Sequence, residues 1–338
     1  MNNILIEKLR NKEKLTRDEC SSFIDQVFQG SVDNKILTEV LILLNKNGFS
    51  SEELTGFAKS MRLVSKKVVT RNNVVDNCGT GGDGLKTFNI STTASLIASC
   101  SGACVAKHGN KAITSSSGSA DLLKIAGINL NLTPEQVSIC LEQFNFGFMF
   151  APLHHSSMKY VAESRKTIAP DKTIFNLLGP LTNPASARRQ LIGVYSKDLM
   201  RPMAETLINL GTDKAMIVHS HDGLDEISIY DKTYVLEIDN GDIKSYDIEP
   251  RRYFNTKSTI KDITVNDAVS SLKMMMDVLN NIKGPAKDIC LINAAALVYI
   301  SGNSDSIEEA IKLCDESIKS RSVYRKLQNL VKITNSFL

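Results

Sequence analysis

The sequence predicts an α/β protein in two parts: a small all-helical N-terminal domain, then a larger α/β domain with a central, mostly parallel (mixed) sheet. Three observations carry this expectation. Residues 1 to 66 show only helical apolar spacing. From Val74 onward, short apolar runs alternate with helical segments, the pattern of parallel strands joined by helices. Near residue 230 the spacing turns to strict alternation, which adds antiparallel strands and makes the sheet mixed. A length of 338 residues fits two domains. The expected division is 1–70 (joined by part of 160–185) for the helical domain and 71–338 for the α/β domain.

Caps and spacing define the helical part. Thr16 and Glu19 form a capping-box pattern ahead of Cys20, Phe23, Ile24, Val27 and Phe28, an apolar face that stops at Gly30. A second helix runs from about Asp33, with Ile36, Leu37, Val40, Leu41 and Leu44 inward, to near Gly48. Ser50 and Glu53 cap a third, which carries Leu54, Phe57, Ala58 and Met61. Such a unit buries little apolar surface alone, so it is expected to pack on the larger domain or on a second subunit.

Val74 and Val75 read as a strand leading into four glycines within six positions, Gly79, Gly81, Gly82 and Gly84. Thr87, Asn89, Ser91 and Thr92 follow, and a helix reads from Thr93. A strand, a glycine loop and a helix N-terminus together bring backbone N–H groups close to an anion. The spacing Gly79-x-Gly81-x-x-Gly84 also matches the dinucleotide fingerprint, which needs an acid about 20 residues further on. Here the next apolar run ends in Lys107-His108-Gly109-Asn110 instead. Asp83 lies inside the loop, where a carboxylate would repel bare phosphate unless it holds ribose or magnesium. A phosphate site is the better reading than a glycine-rich surface turn.

Ala103 to Ala106 reads as a buried strand, and the hydroxyl-rich run from Thr114 to Ser119 then enters a helix at Ala120-Asp121. This second polar loop opening a helix is a second candidate anion site. Thr133-Pro134 starts another helix. Phe146 to Pro152 reads as a core strand that delivers His154 and His155, then Met158, Lys159 and Arg165 on a helix. Asn176 to Pro184, with two prolines and a glycine, reads as a connection between domains. Leu191 to Tyr195 and Ala215 to Val218 read as strands around a helix at about 198–210. Ile227 to Tyr230 and Thr233 to Glu237 alternate like antiparallel strands joined by Asp231-Lys232, with a further turn signal at Asn240-Gly241. Three helical segments close the chain, at about 265–281, 286–300 and 306–333.

With 42% hydrophobic and 23% charged residues, the composition is that of a soluble globular protein. A net charge of +3 with 6% aromatics and no tryptophan argues against a nucleic-acid or membrane partner. Seven cysteines without close pairing, and no apolar stretch of signal or membrane length, lead to the expectation of reduced thiols in the cytoplasm. Asp225-Glu226, on a loop after a strand, offers hard oxygen ligands of the kind magnesium takes together with substrate phosphates and water. His219 and His221 flank the same loop but make a weak zinc pattern. No nucleophile motif is present.

A ligand with phosphates at two ends, a ribose for Asp83 and a bound magnesium fits phosphoribosyl pyrophosphate. Six blocks carry the resemblance: Gly79-Thr-Gly-Gly-Asp83, Asn89-Ile-Ser-Thr92, Lys107-His-Gly-Asn110, Gly118-Ser-Ala-Asp121, Phe175 to Pro184, and Gly223-Leu-Asp-Glu226. In order and approximate spacing the chain resembles the anthranilate phosphoribosyltransferases over nearly its whole length. The resemblance implies a nucleoside phosphorylase/phosphoribosyltransferase-like fold, a hinge between domains, and a homodimer formed mainly through the helical domains. It implies Mg2+-dependent transfer of a phosphoribosyl group to the anthranilate amine in tryptophan biosynthesis. It assigns the donor to Gly79, Gly82, Asp83, Thr87, Asn89, Ile90, Ser91 and Thr92, and to Ser119. The run Lys107, His108, Gly109, Asn110, Lys111, Ala112, Ile113, Thr114 and Ser115 joins them. Gly79, Asn110 and Arg165 are assigned to anthranilate, and Ser91, Asp225 and Glu226 to the metal. Asp83, Lys107 and Arg165 are the residues expected to carry catalysis.

The chain departs from the family's usual wording around the acceptor channel. Lys111 stands where arginine is common, Ser156-Ser157 replaces a Pro-Ala pair, and Glu163-Ser164 precedes Arg165 where Pro-Val is common. The segment from Arg165 to Asn176 is one residue longer than usual. The phosphate and metal blocks are intact. The rival readings are a pyrimidine nucleoside phosphorylase, which shares the fold, and a non-catalytic nucleic-acid-binding relative.

Overall fold

Capping sets where the first helices begin in the computed structural model, which describes residues 2–111, 117–255 and 257–337. Helix α1 (Asn2–Arg10) buries Leu5, Ile6 and Leu9 and precedes the three helices expected from the spacing. Helix α2 (Arg17–Phe28) starts at a complete capping box, Thr16 and Glu19 each bonding the other's backbone N–H. Helix α3 (Asn34–Asn47) is capped by Asp33 and ends at Gly48. Helix α4 (Ser51–Val64) begins with the Ser50–Glu53 box. Glu53 is fully buried, and its carboxylate also accepts from the Leu15 N–H at 3.0 Å, fixing the α1–α2 connection against α4.

The rest of the chain builds one sheet with helices on both faces. In order come β1 (Val74–Asp76), α5 (Ile90–Cys100), β2 (Cys104–Gly109), α6 (Ser119–Ile125), α7 (Pro134–Phe144) and β3 (Phe146–Phe150). Then α8 (Ala151–His154), α9 (Ala162–Ile168), α10 (Phe175–Leu181), β4 (Arg189–Gly193), α11 (Met200–Asn209) and β5 (Lys214–Ser220) follow. The chain closes with β6 (Thr233–Asp239), β7 (Asp242–Ile248), α12 (Ala268–Leu279), α13 (Pro285–Ser301), α14 (Ile307–Lys319) and α15 (Ser322–Asn335).

The strand order is β3-β2-β1-β4-β5-β6-β7, parallel from β3 to β5 and antiparallel for β6 and β7. The chain winds outward from β1 through β2 to β3, then returns to β4 on the other side of β1. That reversal opens a crevice at the carboxyl ends of β1 and β4, the place where open parallel sheets bind ligands. One sheet face, with Val75, Val105, Leu191 and Met216, is covered by α5 and the almost wholly buried α13. The other face, with Ile192, Ala215 and Ile217, shares a single apolar core with Phe23, Leu41 and Phe57 of the N-terminal helices and with α10 and α11.

Four local expectations are corrected. Ile227 to Tyr230 is not a strand: the Ile227 N–H donates to Asn293 Oδ1 (3.0 Å) and its carbonyl accepts from Asn293 Nδ2 (2.9 Å). A buried asparagine on α13 thus takes the role a neighbouring strand would play. The antiparallel hairpin is instead β6–β7, turning at Asn240-Gly241, both at positive φ. Most of the run from Asn176 to Pro184 lies in or next to the buried helix α10, with Pro180 in its last turn; burial overrides the proline and glycine signals. Helix α5 starts at Ile90, three residues earlier than Thr93, because Asn89 caps it. The last helical segment is two helices, α14 and α15, separated at Arg321 in a left-handed conformation (φ 60°).

Candidate active site

The crevice is assembled from three backbone segments. At the end of β1 the buried Asp76 accepts from the Cys78 N–H (3.2 Å) and the His108 N–H (3.1 Å), joining the start of the glycine loop to the end of β2. Gly81, Gly82 and Gly84 all have positive φ (62°, 88° and 77°), which explains the glycines there. The loop docks on the end of β4: the Thr80 N–H donates to Gly193 O (2.9 Å), and Tyr195 N–H donates to Thr80 Oγ1 (3.2 Å). A Cβ on Gly193 would stand 1.5 Å from the Asp225 carbonyl oxygen, so the loop after β5 lies directly on this strand end. The glycine loop, β4 and the Asp225-Glu226 loop therefore meet at one place.

Helix α5 supplies the next wall. Asn89 caps it by accepting from the Thr92 N–H (3.0 Å), and its amide donates to Ser117 O (3.2 Å), which ties the first loop to the second. Lys107 is 2% exposed, and its ammonium donates to Asn77 Oδ1 (2.9 Å) and Ser91 Oγ (3.3 Å). At the second loop Asn110 O accepts from the Ala120 N–H (3.1 Å) and Ser119 Oγ (3.3 Å). Ala112, Ile113, Thr114 and Ser115 lie outside the described residues.

These segments enclose a cavity of about 580 Å³. From the glycine loop and α5 it is lined by Gly79, Gly82, Asp83, Thr87, Asn89, Ile90 and Ser91. Lys107, His108, Gly109, Asn110, Lys111 and Ser119 form the second side, with Asp225 and Glu226 from the loop after β5 and Arg165 from α9. Thr92 stands apart from these: its N–H is taken by Asn89 and its hydroxyl is buried without a partner, behind the wall.

Charge is concentrated at one end. Burial raises Asp225 well above the ordinary carboxylate range, and the neighbouring Asp83 and Glu226 raise it further. Glu226 is pushed up to about 8 by burial, with Lys107 opposing and Asp83 adding to the rise. Burial lowers Lys107, while Asp76, Cys78 and Glu226 hold its proton on. Two buried carboxyl groups held up in this way, with Asp83 beside them, favour a cation at this place. Among the described residues no three His, Cys, Asp or Glu side chains form a closed metal cage. Two carboxylates with the Ser91 hydroxyl fit magnesium, which completes its shell from water and substrate oxygens.

The remaining wall includes Arg165, Phe175 and two histidines. Arg165 packs 5.9 Å from the Phe175 ring centroid, and burial lowers the pKa of its guanidinium; no carboxylate pairs with it among the described residues. The His108 and His155 rings pack tilted at 58° with centroids 5.0 Å apart, and burial lowers them to about 4 and about 3, so both are neutral near pH 7. His108 Nδ1 donates to Gly179 O (3.0 Å), which leaves Nε2 as a bare acceptor. His219 bonds Val194 O and His221 stacks on Tyr234, away from the cavity.

Sequence reading passed over Asp76, Asn77, Lys172 and Tyr195 as site residues. Asp76 and Asn77 adjoin the glycine loop, but only the fold shows them gripping β2 and Lys107. Lys172 belongs to no motif. Its ammonium donates to Gly82 O at 2.8 Å and stands 3.2 Å from the Tyr195 ring centroid.

Comparison with known proteins agrees with this architecture. Residues 3–64 match the helical bundle domain of a glycosyl transferase family, and residues 71–323 match its a/b domain. The chain is 42% identical over 327 residues to an anthranilate phosphoribosyltransferase of Thermoanaerobacter sp. (strain X514), covering 96% of each chain. The crystal structure of the Thermus thermophilus anthranilate phosphoribosyltransferase superposes with a TM-score of 0.91 at 32% identity, covering 98% of this chain and 99% of that one. The Saccharomyces cerevisiae enzyme in complex with PRPP and Mg superposes with a TM-score of 0.89 at 28% identity, covering 99% and 98%. With a switch-point cavity, two loops at helix N-termini and similarity along almost its full length, the chain belongs to the anthranilate phosphoribosyltransferase family.

Proposed function

We propose that this protein transfers the 5-phosphoribosyl group of phosphoribosyl pyrophosphate to the amine of anthranilate, releasing pyrophosphate, in tryptophan biosynthesis. The observation that carries the reading is the polarity of the switch-point cavity. Its carboxylate–lysine end, beside the glycine loop, suits a metal-bound sugar diphosphate. The same cavity offers the half-buried Arg165, without a carboxylate partner among the described residues, to an aromatic acid.

In this reading Gly79, Gly82 and the first turn of α5 at Ser91 hold phosphate oxygens, and Asp83 holds ribose hydroxyls. Ser91, Asp225 and Glu226 hold Mg2+, which neutralises charge building up on the departing pyrophosphate. The bond from the anomeric carbon to the pyrophosphate oxygen breaks with its electron pair leaving on the oxygen. Lys107, fixed by Asn77 and Ser91, adds a buried positive charge for that anion. The aniline nitrogen donates its lone pair to the anomeric carbon and then loses a proton. Arg165 pairs with the anthranilate carboxylate in fork geometry, and Asn110 and Gly79 orient the ring. A strong base is not required, since the attacking amine is already neutral.

The decisive experiment follows anthranilate fluorescence with phosphoribosyl pyrophosphate, with and without Mg2+. Metal-dependent decay with stoichiometric pyrophosphate is expected. Formation of ribose 1-phosphate from a pyrimidine nucleoside and phosphate, without anthranilate consumption, would assign the chain to the phosphorylase reading instead.

Residues 1–70 with part of 160–185 are taken as one domain and 71–338 as the other. A homodimer through the helical domain is supported by Ile4 of α1 and Ile42 of α3, which are 59% and 49% exposed. Sedimentation at twice the chain mass, lost in an Ile4→Glu/Ile42→Glu variant, tests this. No helix among the described residues is long and apolar enough to cross a membrane, and the seven cysteines are free thiols, which supports a cytoplasmic setting.

A further inference from the structure

Lys172 lies between α9 and α10. Its ammonium makes two direct contacts and feels two nearby carboxylates. It donates to the Gly82 carbonyl at 2.8 Å, rests on the Tyr195 ring at 3.2 Å, and is attracted by Asp83 and Asp225. The fit against the loop is close: a Cβ on Gly82 would come within 2.9 Å of Lys172 Cε and Nζ. The three carboxylates are thus bracketed by two lysines. Lys107 acts on the Glu226 side, and Lys172 on the side of Asp83 and Asp225.

We propose that Lys172 is a positioning residue of the donor site, pinning the glycine loop through Gly82 and supplying a positive charge beside Asp83 and the metal-holding Asp225. The proposal rests on the donor reading above. It makes two consequences of opposite sign. A polyanionic sugar diphosphate loses both a pinned loop and an attracting charge when the ammonium is removed, so it binds less well. A bare divalent cation loses a competitor at the same carboxylates, so it binds better. A lysine that merely stiffened the loop would weaken both ligands together.

Lys172→Met keeps the length and the apolar stem while removing the charge. The KM for phosphoribosyl pyrophosphate should rise at least about tenfold, the effect of losing one charge-assisted hydrogen bond. The anthranilate KM and kcat at saturation should stay within about twofold, since the uniform loss is on the donor side. Mn2+ binding to the sugar-free protein, followed by electron paramagnetic resonance, should tighten by about threefold or more. Lys172→Arg should restore most of the donor KM, and Tyr195→Leu should raise it by about threefold, the loss of one cation–π contact. An unchanged donor KM, a parallel rise in both substrate KM values, or Mn2+ binding that is unchanged or weaker would overturn the proposal. The Mn2+ arm needs no turnover. A wild-type protein that neither binds the sugar nor consumes anthranilate would therefore sink the donor reading, while the Mn2+ comparison still judged the charge role of Lys172.

Discussion

Glu226→Gln should make the metal-free protein more stable while removing its response to magnesium. In the folded chain the Glu226 carboxyl is pushed from an ordinary 4.5 up to about 8, chiefly by burial and in spite of Lys107. An acid raised on folding costs nothing below its unfolded value. Its penalty begins above pH 4.5, grows through the interval, and is complete once pH passes about 8. At 1.36 kcal/mol per pH unit the full interval corresponds to almost 5 kcal/mol. The side chain lines an open cavity and keeps partial contact with water, so about 2 kcal/mol is the working figure. Glutamine has nearly the same shape and never ionises, so it escapes this cost. For a chain of this size the gain is about 3 °C in melting temperature at pH 8, fading to nothing near pH 4.5. Calorimetric scans of both proteins at pH 5 and pH 8, without metal, test it. Adding Mg2+ and phosphoribosyl pyrophosphate should then raise the wild-type midpoint and leave the variant's almost unmoved. A variant that melts no higher than wild type at pH 8, or one that still gains from the metal-bound sugar, would refute the reasoning.

Gly193→Ala should lower stability by about 3 kcal/mol or more, because its Cβ would meet backbone and not a movable side chain, and donor binding should fall with it; thermal melts and donor titrations check both. Mn2+ affinity of the sugar-free protein should increase with pH up to about 8 and release protons, since the raised Glu226 carboxyl must ionise to coordinate; calorimetry in buffers of different ionisation enthalpy reads this. Arg165→Ala should raise the anthranilate KM by about 10- to 100-fold, the loss of a charged pair, with the donor KM unchanged in steady-state kinetics. His108 and His155 stay neutral down to about pH 4 and about pH 3, so below pH 6.5 the unfolded chain binds protons the folded one does not. Stability should therefore decline as pH falls from about 6.5, and His155→Phe should flatten that decline in equilibrium melts.

The class of fold was legible because its signals are local. Capping boxes at Thr16 and Ser50 and the apolar runs at β1, β2 and β3 need no distant partner to be recognised. The misreadings at Ile227 and at α10 share a cause. Each depends on a contact far away in sequence: Asn293 satisfies the Ile227 backbone, and burial against α4 and the sheet keeps a proline-bearing segment helical. The same division holds in the crevice. Glycines and hydroxyls beside a strand end advertise an anion site, whereas Lys172 gains its place only because the chain folds back onto Gly82. Asp76 is similar, since its clasp on His108 spans two strands.

The apolar interior common to the N-terminal helices and one sheet face has a consequence for how such chains can be rebuilt. Arg62 of α4 reaches across the seam to the carbonyls of Leu181 (2.6 Å) and Leu210 (3.3 Å), stitching the bundle to α10 and to the end of α11. A chimera that took its first 64 residues from another organism would bring side chains shaped for a different neighbour. Recombination libraries should consequently keep residues 1–64 together with α10 and α11 and place their crossovers in outer loops such as the β6–β7 turn.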